Sequence, residues 1–186
     1  MKTKYFLFLQ VLIYSSVHAQ SVTTALSGID INGATVQVSP VSGKKSVLFF
    51  TATDCPYDDQ YINRIQELAD QYGDQFGFFL INASPEDTPE RIREQVIQWK
   101  TTIPYIRDNE QVILKALSAR KTMEAFVLAA SGAGFTIVYR GPIDDNPQVA
   151  DDADYHYLAD AISQLIKGNA VVIPEVRATG CVIRNR

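Results

Sequence analysis

The chain contains two cysteines, Cys55 and Cys181, and any thiol chemistry open to it runs through them. Cys55 stands in "TATDCPYDDQ", Thr51 to Gln60, beside Pro56 and directly between an apolar run and a helical pattern. A cysteine at a helix start faces unpaired backbone N–H groups and the positive end of the helix dipole, which favour thiolate over thiol. Asp54, Asp58 and Asp59 bring like charge close to that sulfur, and an exposed dipole contributes only about 0.3–1 kcal/mol, so the thiol is expected to be mildly rather than extremely acidic. Two roles stay open for Cys55: an attacking thiol, or half of a structural clip.

A local redox pair would need a second cysteine three positions on, and that position is Asp58. Cys181 is the only other thiol in the chain. It could resolve a sulfenic acid or mixed disulfide on Cys55, or simply hold the C-terminal tail in place. Closing a loop of this length would stabilise the fold by up to ~4–5 kcal/mol on the chain-entropy model.

Other chemistries find less support. His156 is the only histidine beyond the first 19 residues and could join the two sulfurs in a copper site, but a solvent-facing histidine at a helix start is the simpler reading. No Gly-rich phosphate loop follows a strand, and no motif assembles a Ser-His-Asp set around His156. Trp99 and the tyrosines read as core or interface residues, and Arg140 as a structural partner of Asp144 or Asp145. No cofactor and no metal are expected.

The elements that must position Cys55 follow from periodicity. Val47 to Phe50 is a continuous apolar run, as a strand buried on both faces requires. After Cys55-Pro56, the residues Tyr61, Ile65, Leu68 and Tyr72 recur at helical spacing, with Gly73 beyond the end. A second apolar run, Phe76 to Ile81, precedes the cap pair Thr88-Pro89 and the helical face Ile92, Val96, Trp99. Val112 to Leu117 reads as a short helix; Ala125 to Ala129 and Phe135 to Tyr139 flank "ASGAG" as a hairpin. A last helix spans roughly Tyr155 to Lys167, stopped by Gly168. Residues 20–45 read as a hairpin-like lead-in, 46–168 as one α/β domain, and 169–186 as an extended tail carrying Cys181.

The first 19 residues carry Lys2 and Lys4, an apolar core and the small-residue end Val17-His18-Ala19, which reads as a signal peptide. A periplasmic or secreted protein is expected, in a compartment where disulfides persist. Losing Lys2 and Lys4 moves the formal charge from −4 to −6, and an acidic chain without a basic run argues against nucleic acid or an anionic membrane as partner.

The order βαβα followed by ββα is that of the thioredoxin fold, a central mixed sheet flanked by helices. At "FFTATDCPY" the chain resembles the exported redoxins of the thioredoxin/AhpC-TSA superfamily, with further matches at "VYRGPIDDN", Val138 to Asn146, and in the tail "GNAVVIPEVRATGCVIR", Gly168 to Arg184, which is similar to a Gly-Cys-x-Ile ending. The resemblance covers Ser46 to Arg184. It implies a thiol-based oxidoreductase with Cys55 and Cys181 as its reactive residues, and a thiol or disulfide, protein or small molecule, as its substrate. The other surviving reading is a non-catalytic redoxin-fold binding protein with a structural Cys55–Cys181 bond. Two departures stand out. Peroxiredoxins resemble one another in a Pro-x-x-x-Thr-x-x-Cys pattern, and Leu48 and Ala52 fill the proline and threonine positions here, which argues against peroxidase activity. In "ARKTMEAF", Met123 occupies the place of the usual cis-proline, so a trans bond is expected there and the usual backbone pairing with a substrate cysteine is put in doubt.

Overall fold

The computed structural model describes residues 21–22, 25–40, 43–132 and 134–186. The expected signal peptide, residues 1–19, lies outside them. In chain order the elements are β1 (Ser21–Val22), β2 (Ser27–Asp30), β3 (Thr35–Gln37), β4 (Lys45–Thr51), α1 (Pro56–Tyr72), β5 (Phe76–Asn82), α2 (Pro89–Trp99), β6 (Tyr105–Arg107), α3 (Val112–Leu117), β7 (Ala125–Ser131), β8 (Gly134–Gly141) and α4 (Tyr157–Ile166).

The described strands form one sheet in the order β1-β8-β7-β4-β5-β6-β2-β3. β4 lies inside it, parallel to β5 and antiparallel to β7. Its apolar run is continuous because both faces are covered. Val47 and Phe49 face a cluster with Tyr61, Ile62 and Ile65 of α1, Ile92 of α2 and Leu158, Ala161 and Ile162 of α4. Leu48 and Phe50 face the opposite cluster, with Ile113, Leu114 and Leu117 of α3, Leu26 and Val38 of the lead-in, and Ile183 of the tail.

α1 starts on Cys55 as N-cap with Pro56 in the first turn, where its missing N–H leaves no bond unmade, and Gly73 follows its end. α2 is capped by the Thr88 side chain, which accepts from the Arg91 N–H at 3.4 Å. β6 was not expected. It is three residues long, directly after Pro104, and pairs in parallel with β5 and antiparallel with β2, so the lead-in hairpin extends the sheet at that edge. Such a short segment carries too few residues to display a period of its own.

The tail folds back across the C-terminal end of β4. Ile183 is buried; its N–H donates to the Arg120 carbonyl at 3.0 Å, and Val182 bridges Lys121 in antiparallel fashion. Gln111 fixes the chain end, donating to the Arg184 carbonyl at 2.7 Å and accepting from the Arg186 N–H at 2.8 Å.

Candidate functional site

Where β4 gives way to α1, Cys55 and Cys181 are joined in a disulfide with Cα atoms 6.0 Å apart. The two residues singled out by chemistry are thus brought together across 126 positions of sequence. Cys55 is 4 % exposed, while Cys181 is half-buried. Of the two residues, Cys181 is the more open to solvent.

The pairing is held from a third place. Thr122, in the loop before β7, has its hydroxyl 3.0 Å from Cys55 Sγ; the same oxygen accepts from the Cys181 N–H at 3.1 Å, and the Thr122 N–H donates to the Cys181 carbonyl at 2.9 Å. Nothing in the sequence singled out Thr122. The next residue, Met123, has a φ of 55°, and among the described residues no peptide bond is cis. The loop is trans, as expected, and yet it pairs through Thr122 with a cysteine-bearing strand, the protein's own tail. A methionine in the left-handed region is strained, and its N–H bond to the Phe50 carbonyl at 2.7 Å holds it there. Gly180 permits the close approach, since a Cβ at that position would lie 2.0 Å from the Thr122 carbonyl oxygen.

The three carboxylates near Cys55 do not act alike. Asp54 is exposed and paired with Arg91, and Asp59 accepts from the Trp99 ring N–H at 2.7 Å. Asp58, at the position of the absent second cysteine, is fully buried. Burial pushes its pKa up to about 8, against the opposing pull of the Ala52 N–H and the Thr122 hydroxyl. The Ala52 N–H donates to Oδ2 at 2.7 Å, while Oδ1 has no partner at full hydrogen-bond geometry. The expected like-charge pressure from Asp58 is therefore absent at neutral pH, where its carboxyl keeps its proton.

Beneath the Cys55 loop lies a polar network. Gln95 donates to the Ala52 carbonyl at 3.1 Å and accepts from the Tyr105 hydroxyl at 2.9 Å; Tyr105 accepts in turn from Thr51 and Asn82. Asp87 takes both the N–H and the hydroxyl of Thr53, at 2.8 and 2.6 Å. These bonds fix residues 51–54, so the Cys55 backbone is held from below as well as by α1. Burial raises the Tyr105 pKa, so its hydroxyl serves as a hydrogen-bonding hub and stays protonated.

One expectation is corrected, the partner of Arg140, and one is met, the solvent-facing place of His156 at a helix start. Arg140 pairs with Glu124 at 2.8 Å, because β8 lies beside β7 and aims that guanidinium across the hairpin; Asp144 is taken by Arg64 at 2.6 Å and by the Tyr61 hydroxyl at 2.9 Å. His156, exposed at the N-cap of α4, lines a different cleft with Arg64 and Glu67, away from the disulfide. Among the described residues no group of three His, Cys, Asp or Glu side chains is placed to hold a metal ion.

Two clefts meet at Val182, the residue after Cys181. One, of about 210 Å³, is lined by Cys55 and Cys181 with Asp54, Glu86, Asp87 and Arg184; the other, of about 540 Å³, by Arg120, Lys121, Glu124, Arg140, Glu175 and Arg177, and Val182 borders both.

The model of the AhpC/TSA family matches residues 18–144, more than half of the chain, including Cys55 but ending before Cys181. No curated protein matches the sequence. Among solved structures, a hypothetical protein from Sinorhizobium meliloti is similar at 24 % identity and a TM-score of 0.75, with 91 % of this chain and 95 % of that one covered. An uncharacterised conserved protein from Geobacillus kaustophilus gives 24 % identity and a TM-score of 0.75 over 90 % and 92 % of the two chains. A secreted Mycobacterium tuberculosis disulfide oxidoreductase, described as homologous to E. coli DsbE, gives 16 % identity and a TM-score of 0.51 over 60 % and 80 %. At these identities the likeness is one of fold, and that fold is thioredoxin-like.

Proposed function

The chain belongs to the AhpC/TSA family, and from that premise we propose that it is an exported thiol–disulfide oxidoreductase working through the Cys55–Cys181 pair. The observation that carries this reading is the placement of Cys55: at the N-cap of α1, bonded to the chain's other cysteine, with the Thr122 hydroxyl 3.0 Å from its sulfur. Once reduced, Cys55 is the sulfur whose thiolate the helix N–H groups and that hydroxyl stabilise.

In the reduced state the Cys55 thiolate attacks a substrate disulfide, forming a mixed disulfide and releasing one substrate thiolate. Cys181 then attacks Cys55 Sγ, releases the second substrate thiolate and regenerates the intramolecular bond, so that the substrate gains the two electrons the cysteines lose. Thr122 positions both sulfurs. Asp58, three residues beyond Cys55 and buried, keeps its proton at neutral pH and supplies it to a departing thiolate.

Replacing each cysteine in turn tests the assignment. Cys55→Ser abolishes thiol–disulfide turnover, and Cys181→Ser accumulates a mixed disulfide or sulfenic acid on Cys55. Turnover surviving in Cys55→Ser would overturn the reading. The competing clip reading draws on the burial of Cys55 and Ile183; it wins if the wild-type bond has a potential far below about −300 mV and resists physiological reductants. Export rests on the charged and apolar start with its small-residue end at Ala19, and is consistent with a secreted neighbour of the same fold. Intact mass of protein recovered from the periplasm or medium checks it, with cleavage after Ala19 as the expected result and retention of residues 1–19 as the contrary one.

A further inference from the structure

The two clefts that meet at Val182 differ in how their charges are used. On the smaller side every acidic group is engaged. Asp54 pairs with Arg91, Glu86 pairs with Arg184 at 2.5 Å, and Asp87 accepts from Thr53 and Asn82. On the larger side the balance is reversed. Both oxygens of Glu124 are taken, one by Arg140 at 2.8 Å and the other by the Arg120 backbone N–H at 3.0 Å, and Arg140 also donates to the Ser118 carbonyl. That leaves the side-chain charges of Arg120, Lys121 and Arg177, none of which forms an ion pair among the described residues, against the single carboxylate of Glu175. Arg120 and Arg177 are exposed. A chain of net charge −4 thus presents unpaired positive charge beside the half-buried Cys181.

We propose that this cleft is a docking site for the acidic part of the substrate: a cysteinyl peptide or peptide-like thiol with carboxylates two or three residues from its sulfur. The inference rests on the redox reading above and names the substrate class for the same site. A volume of about 540 Å³ suits a ligand of that size. Val182, which lines the cleft, follows Cys181 directly, so carboxylates two or three residues from the substrate sulfur, at roughly 3.3–3.6 Å per residue, are matched to the step from cleft to disulfide. Unpaired guanidinium groups bind carboxylates in bidentate fashion and concentrate anionic partners at the surface. With the carboxylates seated there, the substrate thiolate attacks Cys181 Sγ; a bond forms between the two sulfurs, the Cys55–Cys181 bond breaks, and its electron pair leaves on Cys55 as thiolate. A second substrate thiolate attacks the substrate sulfur of the mixed disulfide and frees Cys181, so that two substrate thiols are oxidised to one disulfide as the protein gains two electrons.

The test measures the rate at which the oxidised, full-length protein is reduced at low ionic strength by three capped peptides, Ac-Cys-Gly-Asp-Asp-NH2, Ac-Cys-Gly-Asn-Asn-NH2 and Ac-Cys-Gly-Lys-Lys-NH2, each rate being expressed per thiolate. The acidic peptide is expected to react about 5- to 20-fold faster than the neutral one and the basic peptide slowest, with the advantage shrinking as salt is added. In Arg120→Glu/Arg177→Glu, both exposed positions, the order inverts, with the acidic peptide slowest, and an unchanged denaturant midpoint of the oxidised protein reports that the variant is folded. Equal rates for the three peptides, or an order unchanged in the charge-reversed variant, overturn the docking site and leave the redox reading standing. Failure of all three to reduce the bond overturns both.

Discussion

The two halves of the disulfide belong to regions built on different terms. Cys55 sits at the junction of β4 and α1, where the strand is buried from Ser46 to Thr51, the helix packs Tyr61, Ile62 and Ile65 inward, and a polar network braces the connecting loop. Cys181 sits in a tail without helix or strand of its own, held by Ile183, by a few backbone bonds to residues 120–122, by Gln111 and by the disulfide itself. The region braced by packing carries the buried sulfur, and the more lightly held tail carries the half-buried one. This division suits a sulfur pair in which one member is shaped for reactivity and the other for access.

The largest test of that contrast is removal of the bond. Cys181→Ser is expected to lower stability by up to about 4–5 kcal/mol on the chain-entropy model, seen as a lower denaturant midpoint. Hydrogen exchange should then show the loss of protection concentrated in residues 167–186, with β4 and α1 still protected. If β4 and α1 lose protection along with the tail, the two regions are one cooperative unit and the contrast fails.

Asp58 gives the next effect, and its sign follows from the direction of its shift. Its native pKa is raised to about 8 from an ordinary 3.8, so below that ordinary value both folded and unfolded chains hold the proton. As pH rises from 3.8 toward 8 the unfolded chain ionises while the native one does not, and stability falls by up to about 1.4 kcal/mol per pH unit before levelling off above 8. Asp58→Asn keeps an acceptor for the Ala52 N–H and removes that slope, so its advantage over wild type grows across this window in denaturant titrations. The same substitution speeds alkylation of reduced Cys55 chiefly above pH 8, where the wild-type carboxylate is charged. A variant whose stability still falls with the wild-type slope would place the titrating group elsewhere.

These particulars show what the sequence could and could not reveal. The β4-Cys55-α1 junction is legible because its signals are local: an unbroken apolar run, a proline in the first turn, a helical face and a glycine stop fall within about thirty residues. The order of strands and helices followed from such signals, whereas the Cys55–Cys181 pairing, across 126 positions, was expected from their being the only two cysteines. Thr122, Gln95 and Tyr105 escaped because their partners in the Cys55 loop lie far away in sequence, 67 positions for Thr122 and Cys55, 43 for Gln95 and Ala52 and 54 for Tyr105 and Thr51, and single polar residues carry no period. Arg140 was matched to nearby Asp144 and Asp145, whereas the β7–β8 register brings it to Glu124. Asp58 was visible as a residue but not as a buried one, since burial is decided by how α1 and the loop carrying Thr122 meet.

A smaller effect is expected from Gly180. With a Cβ 2.0 Å from the Thr122 carbonyl oxygen, Gly180→Ala must shift either the tail or the loop. The cost should be about 1–3 kcal/mol, in the range of overpacked sites. It is expected to appear as faster reduction of the disulfide by a small neutral thiol, with the thermal midpoint of the core little changed in the already reduced protein. Unchanged reduction kinetics would show that the approach of tail to loop does not control access to Cys181.

The smallest effect sharpens the account of what holds the tail. Arg184 and Glu86 form an ion pair at 2.5 Å, a contact that looks like a latch between the tail and the loop before α2. Both side chains are largely exposed, at 76 % and 64 %, and water screens such a pair while two long side chains lose rotamer freedom in making it. Arg184→Ala should therefore change stability by less than about 1 kcal/mol, and added salt should erase the difference. Ile183→Ala, one residue away, removes a buried side chain from the cluster around Phe50 and Phe126 and should cost about 2–4 kcal/mol. Measured side by side in denaturant, the pair of substitutions separates two ways of fastening a segment. If Arg184→Ala proves the costlier of the two, the tail is held by charge, and its release would be set by ionic strength; with the expected order, its release is set by burial of one isoleucine and by the state of the disulfide.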